Sequence, residues 1–256
     1  MPNHTSLNEF VLLGITDTQE LEYYLFAIFL IIYILILLGN GAILVIVISE
    51  AQLHSLMYFF MYLSCLDICY STVTLPKMLD DFLSTHKTIS FVGCITQIHF
   101  FHFLGSTEAI LLGVMAFDCF VAICNPLCYS LIMKHQVCLC LADVTWMIGF
   151  FHALLHSIMT PHLTFCGSNH IHHFFCYVKP LLDLACGNTE LNQWILETVT
   201  GTIAISIFFI ILFSYFYIIS FLLFKSRSFS MLQKALSTCA SHFIVVILCY
   251  LAAPHF

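Results

Sequence analysis

Residues 25–48 read LFAIFLIIYILILLGNGAILVIVI and contain no charged side chain and nothing more polar than Asn40. A helix needs roughly 20 predominantly apolar residues to cross the hydrocarbon core of a bilayer. This stretch therefore predicts a transmembrane helix. Further apolar stretches along the chain predict five more spans, at about residues 56–79, 94–123, 137–159, 195–224 and 236–256.

The composition agrees with a chain embedded in lipid. Of its 256 residues, 61% are hydrophobic and only 8% are charged, whereas a soluble domain has about a quarter charged residues. Seven Lys+Arg and fourteen Asp+Glu are too few to cover a soluble surface. The net charge of -7 also argues against a nucleic-acid partner. We expect an all-α membrane protein whose main surroundings are the lipid bilayer.

The charged residues outside the spans predict orientation. Residues 1–24 hold four acidic residues and neither Lys nor Arg, so they do not resemble a cleavable signal peptide. They are interpreted as an extracellular tail, with the bundle at 25–256. An extracellular N-terminus agrees with the single Asn-x-Ser/Thr sequon, at Asn3, a predicted glycosylation site. It also leaves a slight excess of basic residues in cytoplasmic loops, at Lys134, Lys225, Arg227 and Lys234.

Four of the thirteen cysteines fall on the predicted outer side, namely Cys94, Cys166, Cys176 and Cys186. The outside is oxidising, and four cysteines allow three disulfide pairings. The remaining nine lie in spans or on the reducing side, where small apolar packing is the simplest role. Those flanking a cytoplasmic loop are also candidates for palmitoylation, namely Cys124, Cys128, Cys138 and Cys140.

Motifs spaced along the chain carry a family resemblance. They are Gly39-Asn40, LHSLMYFF at 53–60, MAFDCFVAICNPL at 115–127, FCGSN at 165–169, HFFC at 173–176, Ser214-Tyr215 and KALSTCASH at 234–242. In this order and at these separations they resemble the class II olfactory (odorant) receptors, a branch of the rhodopsin-like G-protein-coupled receptors. The resemblance implies a rhodopsin-like bundle in the plasma membrane, a small volatile odorant as ligand and the olfactory stimulatory G protein as partner.

The chain departs from the family pattern at the inner end of the third span. The family reads Met-Ala-Tyr-Asp-Arg-Tyr, and here Phe117, Cys119 and Phe120 replace the two Tyr and the Arg. In the family that Arg pairs with the preceding Asp at rest and contacts the G protein when active. A thiol has neither the charge nor the donor fork. The resemblance assigns G-protein coupling to Asp118, Cys119 and Tyr215. The missing Arg predicts weakened or absent coupling and an Asp118 that protonates or meets water.

The family also has a seventh span, and residues 1–256 hold six predicted ones. The resemblance thus predicts a receptor truncated before the seventh span, with a signalling-incompetent product as the alternative function. A six-span channel or transporter is a third possibility. The sequence shows no internal repeat, selectivity filter or Arg-rich sensor for it, and Pro76 and Pro161 are placed at span ends.

Two acidic residues fall deep in spans, Asp67 in the second and Glu108 in the third. An ionisable group at membrane depth marks a functional site by default. Facing carboxylates can share a cation or a proton, and the resemblance implies a sodium ion between Asp67 and Glu108. The alternative is a pair of neutral, hydrogen-bonded acids that bridge two helices.

The ligand pocket is predicted between the outer halves of the third, fifth and sixth spans. His102, Gly105 and Ser106 follow an i, i+3, i+4 pattern and share one helix face. The other predicted lining residues are Val199, Thr200, Ile203 and Tyr250. Such a lining suits a small, mainly hydrophobic molecule with one polar handle. The alternative is that these residues only pack helix against helix.

Histidines crowd the predicted outer loop before the fifth span, at His162, His170, His172 and His173. Together with Cys176 they suit copper or zinc. The resemblance instead pairs Cys176 with Cys94 and leaves Cys166 for Cys186, so no metal site is assigned. The sequence contains no His-Glu-x-x-His, Gly-x-Ser-x-Gly or phosphate-binding glycine loop. The chain is predicted not to be an enzyme.

Overall fold

The computed structural model is mostly helical, and it describes residues 9–16, 18–49, 55–166, 169–171 and 173–225. In chain order the elements are β1 (Glu9–Leu12), α1 (Gln19–Ser49), α2 (Ser55–Leu83), β2 (Thr88–Ser90), α3 (Phe91–Cys124), α4 (Tyr129–Ile132), α5 (His135–Met159), a 3₁₀ turn (Thr160–His162), β3 (His170–Ile171), α6 (Val178–Leu184), α7 (Glu190–Ile195), a π-helical turn (Leu196–Thr200) and α8 (Gly201–Lys225).

Five helical stretches in this part of the chain are long and apolar enough to cross a membrane. They are α1, α2, α3, α5 and the continuous run from α7 through the π-helical turn to α8. The expected helical membrane fold is confirmed. Each predicted span up to residue 224 overlaps one of these stretches, and the predicted span at 236–256 lies outside the described residues.

The prediction that Pro76 lies at the end of a span is wrong. Pro76 lies inside α2, which continues to Leu83. Proline lacks the N–H that would bond the carbonyl four residues earlier. In the two preceding turns, side-chain hydroxyls also donate to backbone carbonyls, Ser71 Oγ to Asp67 O at 2.7 Å and Thr74 Oγ1 to Tyr70 O at 2.8 Å.

A small sheet at the predicted outer end is the main feature that the sequence did not predict. Strand β1 lies between the other two strands, antiparallel to β2 and parallel to β3. Phe10 is opposite Ile89, and Leu12 is opposite Ile171. Side chains alternate between the faces of a strand, so Phe10 and Leu12 both point inward and are buried.

This sheet covers one end of the helical bundle. Its inward residues form one buried cluster with the outer turns of α3 and with α6, comprising Phe10, Leu12, Ile89, Cys94, Ile98, Ile171, Cys176, Val178, Leu181 and Leu182. An ion pair between Lys87 and Glu22 joins the segment before β2 to the start of α1. Residues 9–12 of the predicted extracellular tail are therefore part of a folded cap.

Helix α3 is the centre of the bundle, since it packs against α2, α5 and α8. The approach of α5 is closest at Gly149, where an added Cβ would lie 2.1 Å from Thr107 Oγ1. The approach of α8 is close at Gly113, where an added Cβ would lie 3.2 Å from Ile207 Cγ2. Short side chains at these crossings let the polar residues of neighbouring turns reach one another.

Candidate functional site

Polar side chains from α3, α5 and the π-helical turn meet in the outer half of the bundle. The histidine cluster, as we call it, consists of His102, His152 and His156, and Ser106 and Thr200 contact it. All three histidine side chains are buried. Three buried imidazoles in an otherwise apolar bundle are unusual, because polar groups at membrane depth are costly unless they are paired.

His152 is the hub of the cluster. Its Nδ1 lies 2.6 Å from Ser106 Oγ on α3, and its Nε2 lies 3.0 Å from Thr200 Oγ1 in the π-helical turn. The same Nε2 lies 3.3 Å from Nε2 of His156, one turn further along α5. A single side chain thus joins three membrane-spanning segments at one depth.

His102 completes the cluster from α3. Its Nδ1 donates to the Ile98 carbonyl at 3.0 Å. Its ring lies against that of His156, with 4.4 Å between the centroids, and 5.7 Å from the ring of His152. His99, one turn earlier, is partly buried, and its Nδ1 lies 2.7 Å from Ser157 Oγ. It does not belong to the histidine cluster.

The structure brings together three of the residues predicted for the pocket, namely His102, Ser106 and Thr200. They meet through histidines of α5, a helix that the prediction did not include. Gly105, Val199 and Ile203 are partly buried, and Ile203 packs against the apolar cluster between α3 and α8. Tyr250 lies outside the described residues. The missed signal was the i, i+4 spacing of His152 and His156 in an apolar span, which puts both on one helix face.

The two deep acids lie on neighbouring helices of the bundle. Asp67 on α2 is partly buried and shares a side-chain hydrogen bond with Asn40 of α1. Glu108 on α3 is also partly buried. Among the described residues, no group of three or more His, Cys, Asp and Glu side chains is arranged to hold a metal ion. The sodium site at Asp67 and Glu108 stays a prediction.

At the predicted inner end, Asp118 has a partner that the sequence did not indicate. It is almost fully buried and accepts a hydrogen bond from Tyr129 Oη at 3.0 Å. Tyr129 opens the short helix α4, directly after the turn at the end of α3. Of the two alternatives expected for Asp118, its burial under α4 argues against contact with water at the membrane boundary, and protonation stays a prediction.

Cys119 on α3 and Tyr215 on α8 belong to one apolar cluster. Both are buried in the apolar cluster between α3 and α8, with Leu112, Ala116, Ile207, Ile211, Ile218 and Leu222. Where the resembled family has an Arg, this chain therefore has a buried thiol packed against α8. A cation at this position would have to leave the cluster to reach solvent.

The outer cysteines form two disulfides, Cys94–Cys176 and Cys166–Cys186. The first ties the loop before α6 to the first turn of α3, and the second closes a loop of sequence separation 20. Nearby, the ring of His173 stacks on Phe174 at 4.3 Å between centroids, and burial lowers the pKa of His173 below its ordinary value. Asn3 and His172 lie outside the described residues.

Known proteins match this chain along nearly its whole length. A family model described as olfactory receptor matches residues 29–255. Homo sapiens olfactory receptor 12D1 is 70% identical over 251 residues, which cover 98% of this chain and 78% of that protein. Homo sapiens olfactory receptors 12D2 and 12D3 are 68% and 63% identical, each over 98% of this chain and over 82% and 79% of their own lengths. The family match includes both the histidine cluster and the residues at the inner end of α3.

Proposed function

This chain belongs to the olfactory receptor family, and from that premise we propose that its odorant binds beside the histidine cluster and that the inner end of α3 controls its coupling to a G protein. Membership confirms the prediction of an odorant receptor in the plasma membrane. Membership also argues against the alternative function of a channel or transporter.

One observation carries the ligand site: His152 joins Ser106 and Thr200 across three membrane-spanning segments in the outer half of the bundle. Ligand sites are mostly apolar, with a few polar groups that fix orientation. Aromatic rings next to the cluster supply the apolar part, since Phe101 lies 5.5 Å from His102 and 5.7 Å from Phe175 between centroids. The ligand is a small, mainly hydrophobic molecule with one polar group.

The inner end supports a proposal of weakened coupling to the olfactory stimulatory G protein. Asp118 is buried under Tyr129, and the neighbouring Cys119 is packed against α8. A thiol there provides no cation for the G protein and no fork of donors for Asp118. Coupling through this chain therefore relies on the remaining contacts of the cytoplasmic face.

A sodium ion between Asp67 and Glu108 is proposed as a stabiliser of the inactive bundle. Both carboxyl groups are partly buried on adjacent helices, and a cation offsets the cost of desolvating two negative charges. Thermal unfolding of the purified chain in sodium chloride, compared with choline chloride, tests this. Equal midpoints in the two salts would rule the site out.

The ligand site is tested with paired variants. Ser106→Ala with Thr200→Val removes both hydroxyls from His152 and changes little volume. We expect a roughly fivefold loss of odorant affinity, since a hydrogen bond in such a site contributes about 1 kcal/mol. Ser206→Ala, which alters an exposed hydroxyl on α8, is the matched control.

The measurement is odorant binding to the purified chain in lipid nanodiscs, together with cyclic-AMP accumulation in cells that express the stimulatory G protein. An odorant profile that is the same for the double variant and the control would contradict the assignment of the pocket.

A further inference from the structure

The tautomer of His102 is determined by its surroundings. Nδ1 of His102 lies 3.0 Å from the carbonyl oxygen of Ile98. A carbonyl oxygen can only accept, so Nδ1 carries the hydrogen. In the neutral imidazole the other nitrogen, Nε2, then has a lone pair and is an acceptor only.

The second and third histidines share a hydrogen between their rings. Nε2 of His152 lies 3.3 Å from Nε2 of His156, and one of these two atoms must donate and the other accept. Each neutral ring contributes one N–H and one lone pair. Since the N–H of His102 is already directed to the Ile98 carbonyl, His102 offers a ligand only the lone pair of its Nε2.

Histidines are the only basic side chains of the surrounding helices. Residues 91–124, 135–159 and 190–224 contain neither Lys nor Arg. The nearest acid along α3 is Glu108, two residues after Ser106, and a separation of two residues does not place side chains on a common helix face. Glu197 of the π-helical turn is exposed. A ligand group that brings its own proton therefore meets the lone pair of an imidazole nitrogen in the cluster.

Extending the proposed odorant site, we propose that the histidine cluster anchors a small carboxylic acid, whose O–H donates to Nε2 of His102 while its carbonyl oxygen accepts from the hydroxyl of Ser106 or Thr200. The carboxylate enters together with its proton, because an unpaired carboxylate in this apolar bundle is costly. Of the two hydroxyls bonded to His152, the one that accepts from its N–H keeps its own hydrogen and can turn it toward the ligand.

The same chemistry ranks other ligands of equal length. An alcohol donates to Nε2 but lacks a separate carbonyl acceptor. An ester or an aldehyde has acceptors only, and it sets an oxygen lone pair against the lone pair of Nε2. A site built around buried polar groups rejects analogues that leave those groups unpaired. We expect the acid to bind most tightly, the alcohol next, and the ester and aldehyde least.

Binding to the purified full chain in lipid nanodiscs tests the proposal without requiring a signal. The probes are straight-chain carboxylic acids of four to ten carbons, with the methyl ester, aldehyde and alcohol of each length. The readout is ligand-induced thermal stabilisation at one fixed pH of about 5, where a sizeable share of each acid keeps its proton. The acid of the best length should bind at least about tenfold more tightly than its methyl ester, the factor expected for one hydrogen bond of about 1.4 kcal/mol.

Variants on α3 separate recognition from packing. His102→Phe removes the acceptor and should bring acid and ester to within about twofold of each other, which corresponds to less than 1 kcal/mol. His102→Gln places an amide oxygen near the position of Nε2 and should restore part of the preference. His99→Phe, one turn earlier and bonded to Ser157, should keep it in full.

The outcomes distinguish this inference from the proposed function. If esters or aldehydes bind as tightly as acids, or if His102→Phe keeps the preference for acids, the carboxylic-acid anchor is wrong and the odorant site stands. If no probe of any length or chemistry binds, the odorant site in this cluster is overturned as well.

Discussion

Gly149 on α5 faces Thr107 on α3 so closely that an added Cβ would lie 2.1 Å from Oγ1 of Thr107 and 2.9 Å from the carbonyl oxygen of Phe103. Those two atoms are themselves joined, since Thr107 Oγ1 donates to Phe103 O at 2.7 Å. The contact sets the distance between the helices one turn before His152 meets Ser106. The absence of a side chain at Gly149 allows this close approach of α5 to α3.

The variant Gly149→Ala should force α5 away from α3 and cost about 1–3 kcal/mol, the range for an overpacked core. The thermal unfolding midpoint of the purified chain in detergent measures this. Gly39→Ala on α1, where an added Cβ meets nothing within 4 Å, is the matched control. It should keep or raise the midpoint, because Ala is the better helix former by about 1 kcal/mol. Equal midpoints for the two variants would contradict the close approach.

The variant Tyr129→Phe should destabilise the inner end. It removes a donor from the buried carboxyl of Asp118, and removing one partner of a buried polar group costs about 1–3 kcal/mol. Tyr217→Phe on α8 is the control, since Tyr217 is exposed and its edge contact with Phe120 needs only the ring. A destabilisation of similar size in both variants would show that the bond to Asp118 is not the cause.

The variant Cys119→Arg should increase signalling. Arg supplies the cation and the donor fork that the buried thiol lacks, and its long stem lets the charged end reach the inner boundary. Cyclic-AMP accumulation in cells that express the olfactory stimulatory G protein is the measurement, with surface expression recorded in parallel. Cys119→Lys is the control for charge alone. An Arg variant that reaches the surface and gives no increase would refute the role assigned to this position.

Removal of the two disulfides should have unequal effects. Replacing Cys94 and Cys176 by Ala removes a crosslink between residues 82 positions apart. Replacing Cys166 and Cys186 removes a crosslink between residues 20 positions apart. From the entropy that each crosslink removes from the unfolded chain, the longer loop should contribute about 4.5 kcal/mol to stability and the shorter loop about 3.3 kcal/mol. Thermal unfolding and surface staining should therefore fall further in the first pair of variants. A larger loss in the second pair would contradict the entropic argument.

The outer loop should lose stability as the pH falls. Burial lowers the pKa of His173 in the folded chain below its value of 6.5, so the unfolded state takes up the proton first. The contribution of neutral His173 is fully present above pH 6.5 and is lost as the pH falls below it. His173→Gln keeps an acceptor for the Phe175 N–H and does not titrate. Hydrogen exchange at residues 173–177, compared at pH 7.5 and 5.5, should change less in that variant than in the unchanged chain.

Much of the fold was predictable because each transmembrane helix is a local property. Residues 25–48 satisfy the length and apolarity of a span without reference to any other segment. Strand β1 was not predictable in the same way. Its four residues gain a partner only when residues 88–90 and 170–171 are brought beside them, and their hydropathy does not contain that information.

The candidate site was also predictable from the sequence only in part. The face shared by His102 and Ser106 follows from helical spacing, and the sequence indicated it. The participation of His152 did not follow, because it depends on the rotation of α5 and on its close approach at Gly149. Likewise, the burial of Asp118 under Tyr129 depends on the return of α4 over the end of α3.

The sequence by itself determined that this protein is a helical membrane receptor of the olfactory family, since apolar length and ordered motifs are read along the chain. Only the tertiary structure decided which polar groups meet within it. A hydrogen bond such as that of His152 with Thr200 requires two atoms about 3 Å apart. That distance is set by how separate helices pack, and hydropathy along one helix does not specify it.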